Sequence, residues 1–224
     1  MRKTEFCAIT PTRGDRPELL KHCRTMMMDQ VVKPTKHYII DYKPLNDECD
    51  IIPRIKQGLE MAKNDGFEYA FIIEDDDYYP VNYFLQSPFT NFDFVGIDTT
   101  IYYHLQNSKY CFLDHNGRSS LFCTGFKISA LDNFVWPVDN YPFLDIALWE
   151  YAKEMKKNYW LFAPQNMPIG IKHNIGKSAG SGHNANAKYF NLTDENNRFL
   201  LNSIYPPYHK FYINLKNKLQ CTPA

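Results

Sequence analysis

Residues 69–80 read YAFIIEDDDYYP: five apolar residues, four consecutive carboxylates, two tyrosines and a proline. An apolar run of five without polar alternation is the pattern of a strand buried on both faces, as in the centre of an α/β sheet. Glu74, Asp75, Asp76 and Asp77 therefore stand where such a strand ends. Like charges set this close repel one another, and burying them unpaired is costly. A hard divalent cation with oxygen ligands resolves that conflict, which makes this turn the first candidate for a metal site.

Two strand–helix units precede it. Residues 5–10 (EFCAIT) read as a short buried strand that ends in the turn-rich PTRGDRP. Residues 16–30 follow as a helix, with Leu19, Leu20, Cys23 and Met27 at three- and four-residue spacing, Asp15 as its N-cap and Pro17 in its first turn. Residues 37–41 (HYIID) give a second strand. Residues 52–63 give a second helix with Ile52, Ile55, Leu59 and Ala62 on one face. This β-α-β-α-β order predicts a parallel sheet with right-handed crossovers. Ligands bind beyond the carboxyl ends of such strands, so residues 10–16, 41–48 and 74–80 are expected along one edge.

A fourth strand is expected at 92–97, paired strands between 102 and 126, and a helix over 143–156 carrying Leu144, Leu148, Ala152 and Met155 inward. From 167 to 188 the composition turns to Gly, Ser, Asn, Lys and His, the signature of a loop over the sheet edge. The tail at 208–219, YHKFYINLKNKL, is basic and aromatic, compatible with nucleobases stacking on it or with a solvated helix face. The expected fold class is α/β: a mostly parallel, Rossmann-like sheet flanked by helices, with a smaller mixed region. One domain over 1–224 is expected; the family resemblance set out below implies a nucleotide-sugar-binding half at 1–100 and an acceptor-side half at 101–224.

The 224 residues hold 25 basic and 25 acidic side chains, so no general basicity is available for wrapping a polyanion. No apolar run reaches the ~20 residues of a membrane span, and the first residues lack a signal peptide's apolar stretch. Six cysteines at 7, 23, 49, 111, 123 and 221 show no zinc spacing and read as reduced thiols. These features predict a cytoplasmic protein with no membrane partner. The P-loop pattern and a strand-linked GxGxxG are both absent from the sequence.

At the acidic turn the chain resembles the GT-A fold, nucleotide-sugar-dependent glycosyltransferases, in particular their family 2-like members. These carry a short acidic DxD motif after an apolar strand, and Glu74-Asp75-Asp76 matches it as an E-D-D variant. The match implies that Asp76 binds manganese or magnesium directly, with Glu74 and Asp75 holding the metal through water or contacting the sugar nucleotide. The opening AITPTRGDRPELL is similar to the family's PTR-x-RP-x-L start. That likeness places Thr10, Pro11, Thr12 and Arg13 against the base and ribose. Asp41 ends the second strand where family members read the base or ribose, and Arg54 begins the next helix near the nucleotide. CTGF at 123–126 resembles a small-residue pocket segment, contributing Thr124 and Gly125. PFLDIALWEYA at 142–152 resembles the helix start that bears the catalytic base of inverting members, which singles out Asp145 ahead of Glu150.

The chemistry implied is transfer of a sugar from a nucleoside-diphosphate sugar to an acceptor hydroxyl, with inversion. The departing diphosphate must be neutralised, by a metal and nearby cations, and the acceptor must lose a proton to a base. In the loop 170–184, Lys177 and Ser178 are candidates for the diphosphate side, and His173 for a third metal ligand, with His183 competing. Glycans and hydroxylated bases of modified DNA are both open as acceptors. A sugar-phosphate nucleotidyltransferase is the alternative enzyme, although the first strand lacks a Gly-rich loop for a triphosphate. A non-catalytic nucleotide-sugar-binding module is the alternative outside enzymes.

Overall fold

The computed structural model describes residues 5–44, 48–173, 175 and 188–221. In chain order the elements are β1 (Phe6–Pro11), α1 (Pro17–Met28), β2 (Lys36–Ile40), α2 (Ile51–Asn64), β3 (Tyr69–Ile72), α3 (Tyr83–Gln86), β4 (Phe94–Gly96), β5 (Thr99–His104) and β6 (Lys109–Asp114). They continue with β7 (Gly125–Lys127), α4 (Leu144–Glu154), β8 (Tyr159–Leu161), β9 (Ile169–Lys172), β10 (Leu192–Thr193), α5 (Arg198–Ser203) and α6 (His209–Cys221).

Six strands form one sheet in the order β2-β1-β3-β7-β4-β8. β1 pairs in parallel with β2 and β3, and β4 with β8, as the crossover pattern demands. β7 pairs antiparallel with both β3 and β4. The sheet is therefore mixed rather than mostly parallel. A three-residue strand after a loop excursion enters the sheet without a crossover helix, so nothing forces it into the parallel direction. Gly125 is what lets β7 in: a Cβ there would lie 2.4 Å from Phe71 Cε1 on β3. A second sheet, β10-β6-β5-β9, carries the 99–104 and 109–114 hairpin. The six-stranded sheet takes β7 and β8 from beyond residue 100.

Strand alternation splits the core in two. Phe6, Ala8, Tyr69 and Phe71 face one side with Leu19, Cys23 and Met26 of α1 and Tyr212 and Leu215 of α6. Cys7, Ile9, Ala70 and Ile72 face the other, with Ile52, Ile55 and Leu59 of α2 and Leu144, Leu148 and Trp149 of α4. This is helix–sheet–helix layering. The tail forms α6 and the turn before it, with Tyr208 of the turn and Tyr212 of the helix buried and Phe211 stacked 3.8 Å from His22, so its aromatics serve packing rather than base stacking. Among the described residues, no helix is long and apolar enough to cross a membrane.

Candidate functional site

The loop after β1, the start of α2, the acidic turn after β3 and the start of α4 converge on a cleft of about 270 Å³. That is near the lower end of ordinary ligand pockets, ~300–1,000 Å³. Pro11, Thr12, Arg13, Arg54, Glu74, Asp75, Asp76 and Asp145 line it, with Arg16, Tyr102, Phe122, Phe143 and Lys172 completing the wall. The cleft lies beyond the carboxyl ends of β1 and β3, as the topology requires.

The acidic turn is held from both sides. Thr12 Oγ1 donates to Asp75 Oδ2 at 2.6 Å. Arg16 spans the pair, donating to Asp75 Oδ1 at 2.6 Å and to Asp76 Oδ2 at 2.5 Å. Asp77 turns fully inward and accepts the Ile171 amide of β9 at 2.8 Å. Tyr78 and Ile169 exchange backbone hydrogen bonds of 2.9 and 3.0 Å, which fastens the turn to the second sheet. Tyr79 Oη accepts the Glu74 amide and donates to the Phe122 carbonyl.

His173, wholly buried, places Nε2 3.1 Å from Asp76 Oδ2, while its Nδ1 accepts the Ile175 amide at 3.0 Å. An acceptor Nδ1 in a neutral ring puts the proton on Nε2, so His173 donates to Asp76. The imidazole thus orients the carboxylate in this arrangement instead of presenting a lone pair to a metal through Nε2.

Burial would raise Asp76, but the Arg16 guanidinium and His173 outweigh it and hold its carboxyl well below the usual range. Burial pushes Glu74 up to about 7, opposed by Lys172 and assisted by the Asp76 charge. Asp75 rises to about 6 through burial and Asp76, against Arg16 and Thr12. Asp77 is driven well above its ordinary value by burial, against Lys172.

The donor set fits a divalent cation. Glu74, Asp76 and Asp77 each offer an oxygen, all within 4.8 Å of one another. Asp76 Oδ1 and Asp77 Oδ2 are buried without a hydrogen-bond partner, which two native carboxylates seldom tolerate. Hard carboxylate oxygens suit magnesium or manganese. Asp77 joins this set in the structure, whereas Asp75 faces Thr12 and Arg16.

Asp145 lies in the first turn of α4 and is paired with Arg118. Burial raises its carboxyl above the ordinary value, against the pull of Arg118. It adds repulsion to Glu74, so the two acids share one electrostatic neighbourhood.

Other expected residues are placed differently. Arg54 is buried and donates to the Thr12, Ile40 and Tyr42 carbonyls at 2.6, 3.0 and 2.9 Å and to Asp50 at 2.7 Å. It clamps the strand ends that form the cleft floor. Thr10 is buried in β1 against His37 Nε2 at 2.7 Å. Asp41 is exposed and does not line the cleft. Thr124 and Gly125 do not line it either: Thr124 Oγ1 accepts the Trp149 indole N–H at 3.0 Å and Gly125 lies under Phe71. Both are packing residues of β7. Lys177, Ser178 and His183 lie outside the described residues. The helix cap falls on Arg16 rather than Asp15, with no side-chain cap bond.

Arg16 and Lys172, which line the cleft, and Arg118, which pairs with Asp145, were given no role by the sequence reading. Arg16 is the second arginine of the PTRGDRP start, but the likeness drawn there assigned only residues 10–13. The matching excess of four carboxylates across the edge was the available signal, since buried acids demand cations.

No protein-family model matches the chain, and no curated protein does. Among solved structures it is similar to S. aureus TarS, a glycosyltransferase, at 9% identity and a TM-score of 0.50. That match covers 75% of this chain and 36% of that one, so this chain spans little more than a third of TarS. A shorter form of TarS, residues 1–349, aligns at 10% identity and a TM-score of 0.45, covering 75% of this chain and 60% of that one. The fold is glycosyltransferase-like.

Proposed function

We propose that the protein transfers a sugar from a nucleoside-diphosphate sugar to an acceptor hydroxyl, with a divalent cation and inversion at the anomeric carbon. The observation that carries this reading is the sharing of one cleft by the acidic turn of Glu74, Asp75 and Asp76 and by Asp145. The glycosyltransferase-like fold supports it.

In this reading Asp76, with Glu74 and Asp77, holds manganese or magnesium, and His173 orients Asp76. The bound cation would supply positive charge to the departing diphosphate. Arg13, Thr12 and Pro11 face the same cleft from the β1 loop and are assigned to the nucleotide. Lys172, whose ammonium lies 5.1 Å from the centre of the Tyr102 ring, adds a second cation to the wall. Asp145 takes the proton from the acceptor hydroxyl. Burial raises its basicity while Arg118 keeps it ionised and aimed.

A screen of nucleotide sugars with manganese, read by mass spectrometry, tests the donor class. Asp145→Asn then tests the base: transfer should fall ~10²-fold or more with donor affinity nearly intact. A product of the same anomeric configuration as the donor sinks the single-displacement mechanism. Loss of donor affinity without loss of turnover would make Asp145 a binding residue.

A further inference from the structure

The cleft contains its own occupant for the cation's electrostatic role. Arg16 donates to Asp75 and Asp76 through two different guanidinium nitrogens, with contacts of 2.6 and 2.5 Å. Its side chain is only 10% exposed and those of the two acids 1% and 3%, so all three charges are largely withdrawn from water. A fork that satisfies two carboxylates at once is a geometry that arginine provides and lysine cannot. The Nε–H of the same guanidinium makes no hydrogen bond but lies 3.9 Å from Asp15 Oδ1, a looser ion pair. Asp76 therefore has one oxygen committed to Arg16 and His173 and the other, Oδ1, left without a partner.

We propose that Arg16 is a built-in competitor of the divalent cation, holding Asp75 and Asp76 in the free protein and yielding Asp76 when the cation arrives. This rests on the reading of the acidic turn as a cation site. A divalent ion held by Glu74, Asp77 and the open Oδ1 of Asp76, beside an undisplaced guanidinium on Oδ2, would set two positive centres on the two oxygens of one carboxylate. Mutual repulsion there is screened far less than at the surface. The structure offers one clear relief: the guanidinium leaves Asp76 while keeping Asp75, whose Oδ1 it already holds. Manganese binding to the free protein is thus weaker than three converging acids would give.

Arg16→Lys is the sharpest test, because it keeps the net charge and removes the fork. Manganese alone is titrated into wild type and Arg16→Lys and followed by electron paramagnetic resonance of the free ion. The expected result is binding about fivefold or more tighter in the variant, since the lysine ammonium cannot pin both acids. Adding Asp76→Asn to the variant should abolish that gain. Equal affinity in wild type and Arg16→Lys, with Asp76→Asn still destroying binding, overturns the competition and leaves the cation site standing. No manganese binding in any of these proteins overturns both.

Circular dichroism checks that Arg16→Lys folds. If it does not, Arg16→Gln and Lys172→Gln form a pair that removes one cleft cation each. A gain about fivefold larger at Arg16 than at Lys172 supports the proposal, because general charge removal acts on both. Equal gains overturn it.

Discussion

His173 donates through Nε2 to the Asp76 oxygen that also receives Arg16, although His173 and Asp76 are 97 positions apart in the chain. The imidazole fixes which Asp76 oxygen is committed and which is left for a ligand. His173→Gln should weaken manganese binding roughly 10–100-fold, the usual effect of removing a residue that orients a metal ligand. Asp76→Asn should remove binding entirely. Calorimetric titration separates the two; unchanged affinity in both variants would mean that the ion, if any, sits elsewhere.

Arg118 is the only side-chain partner that the structure gives Asp145 among the described residues. Its removal takes away a positive charge, so the Asp145 carboxyl should rise further. A base must be ionised to act, and the acid limb of the pH–rate profile of Arg118→Ala should accordingly move to higher pH. Donor KM should change little. An unmoved acid limb would show that Asp145 is not the titrating base.

Burial and, secondarily, Arg118 push His115 down to about 4, against Asp98 and Asp114. Its Nε2 lies 2.7 Å from Thr100 Oγ1, and its Nδ1 is buried without a partner. The unfolded chain has histidine near its ordinary pKa of ~6.5. Between that value and about 4 the unfolded state binds a proton that the folded state refuses. Stability from this residue is therefore present above pH ~6.5 and lost as pH falls towards about 4. Urea unfolding at pH 7 and 5 should show His115→Gln losing about 1–2 kcal/mol less than wild type on acidification. Parallel losses would contradict a neutral buried His115.

Gly125→Ala places a methyl 2.4 Å from Phe71 Cε1 and 2.6 Å from its Cδ1. Phe71 is 1% exposed and packed among other rings, so it has little room to withdraw. Overpacking of this kind costs about 1–3 kcal/mol. Thermal unfolding should drop by several degrees, on the order of 2–4 °C per kcal/mol in a chain of this size. An unchanged midpoint would mean that β7 can shift away from β3.

Much of the first hundred residues could be read from the sequence because the information there is local. Leu19, Cys23 and Met27 mark the inner face of α1 by spacing alone, and 69–73 announces β3 by lacking any polar residue. The acids of the site were visible for the same reason: four in a row cannot be overlooked. What escaped was relational. Nothing near Gly125 says that its three-residue strand will slot between β3 and β4. Nothing near Arg16 says that its guanidinium will meet Asp75 and Asp76 some sixty positions later. CTGF resembled a family pocket segment, but the group that approaches Gly125 is the Phe71 ring.

The position of β7 also governs how the chain must be built. β3 is finished at Ile72, yet the neighbour on its far edge is not synthesised until Gly125–Lys127, and β4 waits for β7 and for β8 at Tyr159–Leu161. During vectorial synthesis the nascent chain therefore carries an unpaired, wholly apolar strand edge through more than fifty residues of elongation. Late, long-range closure of this kind slows folding and leaves a template for wrong pairing. A fragment stopping near residue 100 would keep that edge open permanently, and its expected fate is aggregation.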